Sequence, residues 1–221
     1  MDHFTRTGKM QDYEVSATGG NGKTSYYTSV NFHKNEGVFY GVDYQKFSAR
    51  VNADHQINDW FKSGARIGAT YSKMDDVPMQ SLYYSNPIFA GMTIAPWVKP
   101  YTEDGKHNVD IPTNANTNPR ATAEYDEQYQ KSWHGSGSIY LQAEPIKGLV
   151  IKTTDAAEYT FAHGRRYWDT YTNEGEATLQ TTRLMQSLLT TSNTISYERN
   201  IGKNYGRILL GQEASKEYFD Y

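Results

Sequence analysis

Cysteine is missing from all 221 residues, so no disulfide framework, thiolate metal site or cysteine nucleophile is available. An excess of either charge is also missing: 22 Lys+Arg stand against 25 Asp+Glu, a formal net charge of −3. That excludes the broadly basic surface of a general nucleic-acid binder. Long apolar runs are lacking, with a hydrophobic share of 37%. The longest charge-free stretch, Val77 to Val98, holds Pro78, Pro87 and Pro96. Those prolines would break the backbone bonding that lipid demands of a spanning helix, so the stretch reads as a structured loop. The start, Met1 to Arg6, has no basic stretch followed by an apolar run, and no signal peptide is expected there.

Aromatic side chains, by contrast, reach 14% of the chain, with 19 Tyr. Tyrosine joins an apolar ring to a polar tip and suits a boundary between greasy and wet surroundings. The dominant pattern is period-two alternation. Phe47, Ala49, Val51 and Ala53 alternate with Lys46, Ser48, Arg50, Asn52 and Asp54. Phe61, Ala65, Ile67, Ala69 and Tyr71 alternate with Lys62, Gly64, Arg66, Gly68, Thr70 and Ser72. This period predicts strands, not helices.

Strands are expected at 11–18, 24–33, 43–56, 60–73, 131–144, 149–161, 183–198 and 204–218. The connections at 19–23, 57–59, 145–148 and 199–203 are short; those at 34–42, 74–130 and 162–182 are longer. Consecutive antiparallel strands place alternate connections at opposite ends, giving one end of tight turns and one of long loops. Outer-membrane barrels have that asymmetry. Phe61 and Tyr71 share a face, and at ~3.3 Å per residue and a tilt near ~40° they span ~25 Å of membrane depth. The fold expected is all-β: an antiparallel meander of about eight strands belonging to a larger transmembrane barrel and covering residues 1–221 as one partial barrel domain. In that frame Phe47, Val51, Phe61, Ile67 and Tyr71 face lipid, while Lys46, Arg50, Asp54, Lys62 and Arg66 face a wet lumen. Charges are costly against lipid and tolerable in a lumen. A soluble meander with one buried face produces the same alternation.

Other motifs carry less. Ala17 to Thr24 nearly matches a phosphate-binding loop, but a strand follows where that chemistry needs a helix. Gly19–Gly22 is read as a hairpin turn with positive φ. The histidines at 3, 33, 55, 107, 134 and 163 form no zinc-binding spacing, and each is read as a loop or polar-face residue. Glu103-Asp104-Gly105 reads as an exposed turn. No metal, cofactor or catalytic residue is assigned, and the chain is not expected to be an enzyme. The 74–130 connection is the main binding candidate, with Tyr83, Tyr84, Trp97 and Tyr101 able to offer flat faces to a sugar or peptide. The competing expectation is that these rings pack the loop upon itself or against a partner.

Several segments, in order, resemble SusC/RagA-like TonB-dependent transporters. They are Phe4-Thr5-Arg6-Thr7-Gly8, Tyr13 to Gly20, Thr24-Ser25-Tyr26-Tyr27, Phe47 to Asn52, Tyr101 to Gly105, Glu144 to Leu149 and Leu210-Gly211-Gln212-Glu213. The resemblance implies a barrel of about twenty-two strands closed around a plug in the bacterial outer membrane. It further implies import of glycans or peptides, powered by the TonB complex and capped by a SusD-like surface lipoprotein. Asp155-Ala156-Ala157 departs from the family, which is usually apolar or aromatic there. With no plug in view, the chain is expected to be a piece of such a transporter. The alternatives are a self-contained eight-stranded adhesin or anchor and a soluble β-rich carbohydrate-binding domain.

Overall fold

The computed structural model describes residues 5–77, 87–111, 118–173 and 175–221. All eight expected strands are present: β1 (Met10–Gly20), β2 (Thr24–Glu36), β3 (Asp43–Asn58), β4 (Phe61–Asp76), β5 (Glu127–Ile146), β6 (Leu149–Trp168), β7 (Thr178–Ile201) and β8 (Asn204–Asp220). They form one sheet in sequence order, β1 through β8, with antiparallel neighbours throughout. β1 and β8 stay at opposite edges, so the sheet is open and the self-contained eight-stranded barrel is not formed.

The strands outrun their sequence-based limits, most clearly β7, which begins at Thr178. The long connections shrink accordingly, to 37–42, 77–126 and 169–177. The first of these is only a modest loop, because β2 continues to Glu36 and β3 starts at Asp43. The end-to-end asymmetry remains, with tight turns at 21–23, 59–60, 147–148 and 202–203.

Turn chemistry differs from expectation at the first hairpin. Positive φ occurs at Gly41, Gly105, Gly148, Gly175 and Gly202, and not at Gly19, Gly20 or Gly22. Asn21 makes this turn instead, its Oδ1 accepting from the backbone N–H of Lys23 (2.9 Å) and Thr24 (2.8 Å). A side-chain amide imitating a backbone turn removes the need for a left-handed residue. Gly20 is glycine for another reason: a Cβ there would collide with the Thr24 carbonyl.

Among the described residues the buried apolar side chains are only Val77, Ala90, Ile111, Ala121 and Ala162, four of them outside the strands. Among the described residues the sheet therefore has no second layer and no core of its own. Ile67 is 59% exposed at mid-strand, so none of the described residues covers the apolar face there. No helix among the described residues is long and apolar enough to cross a membrane. Two short helices, α1 (Pro87–Thr93) and α2 (Pro119–Tyr125), lie in the longest connection. Both begin with proline, whose missing N–H costs nothing in a first helical turn. In the stretch expected to be loop throughout, Pro87 thus starts a helix.

Register aligns the apolar face into rows. Phe32, Phe47, Tyr71, Trp133 and Phe161 are successive partners across five strands. The row Val51, Ile67, Gly137, Ala157, Leu189 and Lys216 lies four residues nearer the turns. Next comes Ala65, Ile139, Asp155, Thr191 and Ala214.

Candidate functional site

The opposite face carries the polar half of the alternation. Residues from β1 to β6 line a trough of about 770 Å³ there. Its floor is low because Gly68, Ser48, Ser136 and Ser138 project little, and Lys46, Arg50, Arg66, Glu14 and Glu158 line it as well. Lys46 and Arg50 make no ion pair among the described residues, so their charges remain available.

Asp54 and Lys62 line an adjoining hollow nearer the turns, together with Tyr140. Arg66 Nη2 donates to both Asp54 oxygens at 2.8 Å, and the Tyr140 hydroxyl donates to Asp54 Oδ1 at 2.7 Å. The Tyr140 ring also lies 4.7 Å from Lys152 Nζ. Gly64 permits the cluster, since a Cβ there would strike the Tyr140 ring and the Asp54 carboxylate. All five cations and acids singled out by alternation thus fall on one face. Phe47, Val51 and Ile67 are exposed on the other. Phe61 and Tyr71 lie on that second face half-buried, against Trp60 at 5.6 Å and Trp133 at 4.3 Å respectively.

The long-loop end holds a second constellation. Tyr101 and His107 close a small hairpin around Gly105, which bears out the turn at Glu103-Asp104-Gly105. His107 is 4% exposed. Its ring lies 5.0 Å from Tyr101 and 5.4 Å from Tyr125, and Tyr125 meets Tyr171 edge-on at 5.2 Å. His107 Nε2 stands 2.6 Å from Glu124 Oε2, and the Tyr171 hydroxyl donates to the His107 carbonyl at 2.6 Å. Arg120 joins by donating to Glu124 (3.0 Å) while lying 3.8 Å over the Tyr40 ring. The clasp thereby ties together all three connections at this end.

Tyr101 belongs to this packing, as the self-packing expectation had it. Trp97 does not: it is 79% exposed and can meet a solute or partner. Tyr83 and Tyr84 lie outside the described residues. Sequence reasoning missed His107, Glu124, Arg120 and Tyr171. They lack a shared motif, and their contacts bridge separations of 17 and 64 residues.

The hydrogen bond from His107 holds the Glu124 carboxyl below its usual range. A depressed carboxylate adds stability that is complete above its ordinary pKa and lost as pH falls through the lowered value. Asp126 runs the other way: burial raises it, so it gives up stability as pH climbs past the ordinary carboxylate value. Pepsin cleavage within 99–111 is expected to rise as pH falls from ~5 to ~3. Glu124→Gln should flatten that dependence; an unchanged acid profile in the variant would refute Glu124 as its source.

No family model matches the chain. A TonB-dependent receptor of Formosa agariphila is 27% identical over 207 residues, covering 90% of this chain and 20% of the relative. A second receptor from that organism is 26% identical over 158 residues, covering 70% of this chain and 16% of its own length. In sequence the chain is similar to TonB-dependent receptors. It spans a fifth or less of these relatives' length. Among solved structures, the RagAB peptide transporter superposes with a TM-score of 0.81 at 20% identity, covering 98% of this chain and 26% of that one. The RagAB peptide importer in its open-open state gives 0.81 over the full chain, again 26% of the solved chain. The fold is thus an eight-stranded antiparallel meander matching a segment of the solved RagAB transporter chain.

Proposed function

We propose that this TonB-dependent-receptor segment forms wall, lumen lining and external loops in an outer-membrane importer of glycans or peptides. The observation that carries this reading is the division of one uncovered sheet into two chemically opposite faces. The face with Phe47, Val51, Phe61, Ile67 and Tyr71 meets hydrocarbon. The trough face, with Lys46, Arg50, Asp54, Lys62 and Arg66, meets water, a plug or passing solute. Nothing in this contribution makes or breaks a covalent bond.

The loop clasp presents Trp97 outward, where a surface lipoprotein or the solute itself would meet it. A SusD-like cap and the TonB complex are the partners this reading requires of the whole transporter. The fold neighbour is named as a peptide transporter, which favours a peptide solute. Flat rings in the loops suit a glycan equally well.

The test is uptake by cells carrying or lacking the complete protein, measured with a panel of labelled oligosaccharides and peptides. Loss of one class on deletion, restored by the intact gene and impaired by Arg50→Glu, is the expected result. Unchanged uptake of every member would overturn the assignment.

A further inference from the structure

Register gathers cations on the apolar side of the sheet, immediately beyond its aromatic row. Two residues further toward the long-loop end, Lys34, Gln45, Lys73, Lys131, His163 and Arg183 are successive partners from β2 to β7. The row contains no acid. Glu36, Asp43 and Asp75 stand one pair further out on β2–β4, and they reach back to Lys34 (3.0 Å from Glu36) and Lys73 (2.7 Å from Asp75). On β5–β7 that outer row reads Tyr129, Arg165 and Thr181 instead. Lys131 and Arg183 therefore have no ion pair among the described residues. At the turn end of the same face the row Phe61, Ala143, Ile151, Ile195 and Leu210 carries no charge at all.

Tyr129 draws the charges together. Lys73 Nζ lies 5.6 Å and Lys131 Nζ 4.7 Å from the centre of its ring. A ring face attracts an ammonium group without neutralising it, so the patch keeps its positive charge. Tyr71 marks the upper limit of the ~25 Å apolar band that starts at Phe61. Two further residues carry Lys73 and Lys131 ~5 Å past that limit, to the level where hydrocarbon gives way to headgroups. Cations that only reached for water would edge both ends of the band. These edge one, as a ligand confined to one leaflet requires.

We propose that the outward surface of β4–β7 at the long-loop end is a binding site for a phosphorylated lipid headgroup. Clusters of Lys and Arg beside a bilayer bind anionic headgroups, and a guanidinium can grip a phosphate through two parallel hydrogen bonds. Lys131 and Arg183 supply the uncompensated charge, with Lys73 beside them, while the acyl chains lie down the wall over Tyr71, Trp133 and Phe161. This rests on the reading that the apolar face meets hydrocarbon.

The probe is lipid A carrying both its phosphates, added to the complete protein in detergent, with bound lipid counted by native mass spectrometry. Half-saturation should come at a concentration at least tenfold lower than for lipid A stripped of phosphate. Lys131→Gln with Arg183→Gln should remove that preference. Lys147→Gln with Lys203→Gln, an equal loss of charge placed in the turns, should keep it. Equal affinity for the two lipids, an equal loss in both double variants, or displacement of the lipid by equimolar inorganic phosphate would overturn the proposal, and the first needs no variant to fold. Maleimide labelling of Val51→Cys in membranes containing the complete protein separates the two failures. Reaction with a lipid-soluble maleimide keeps the outward reading whatever the lipid measurement returns. Reaction with only a water-soluble maleimide would overturn that reading and this site with it.

Discussion

Ile67→Arg is expected to abolish assembly of the complete barrel in the outer membrane, whereas Thr70→Arg should assemble normally. The two positions are three residues apart on β4, but one points to the apolar face and the other lines the trough. An arginine facing lipid near mid-depth costs ~2–4 kcal/mol, roughly a 30- to 1,000-fold shift against the folded state. At position 70 the neighbouring Ser48 and His134 leave a polar surround, where an added charge changes stability by less than about 0.5 kcal/mol. Heat-modifiable mobility and outer-membrane abundance of the two variants read this directly. Equal tolerance at both sites would remove the facing assignment on which the importer reading depends.

Asn118→Ala should release the loop clasp while leaving the sheet intact. Asn118 is 5% exposed and caps α2, its Oδ1 accepting from Arg120 N at 3.0 Å. Its amide nitrogen donates to the carbonyls of Pro100 and Asn108, each at 2.9 Å. Alanine removes the cap, about 1 kcal/mol, and leaves two carbonyls short of a donor, about 1 kcal/mol or more each where water cannot replace it. A local loss of ~3 kcal/mol should appear as amide hydrogen exchange more than a hundredfold faster across 99–111 and 119–126. Protection in β3–β6 should be unchanged. Exchange that stayed slow in the loops would mean that the aromatic stack around His107 holds them unaided.

Strand existence was legible because a two-sided sheet writes itself into sequence with period two, as at Phe47–Asp54 and Phe61–Ser72. Strand ends were less so. Beyond the apolar band both faces are wet, and stretches such as Thr178–Thr182 lose the contrast that marks a strand. The helix α2 was invisible because seven residues give too few turns for a helical period to show. Its cap and tertiary contacts hold it, not its propensity. The five charged trough residues were legible because facing follows from alternation alone. The His107 clasp was not, since neither Glu124 nor Tyr171 shares a motif with it. Asp155 stood out as a departure from the family pattern, but only register showed that Lys73, Lys131, His163 and Arg183 share one row.

The in-step row Phe32–Phe47–Tyr71–Trp133–Phe161 carries one more consequence. Partners in register lie along a line perpendicular to the strands, about 4.8 Å apart per step. If the strands lean ~40° from the membrane normal, four steps carry that line ~12 Å through the bilayer. These rings therefore cannot all ride at one headgroup level. On the proposed outward reading they form a diagonal seam that climbs the wall, clamping neighbouring strands against slippage.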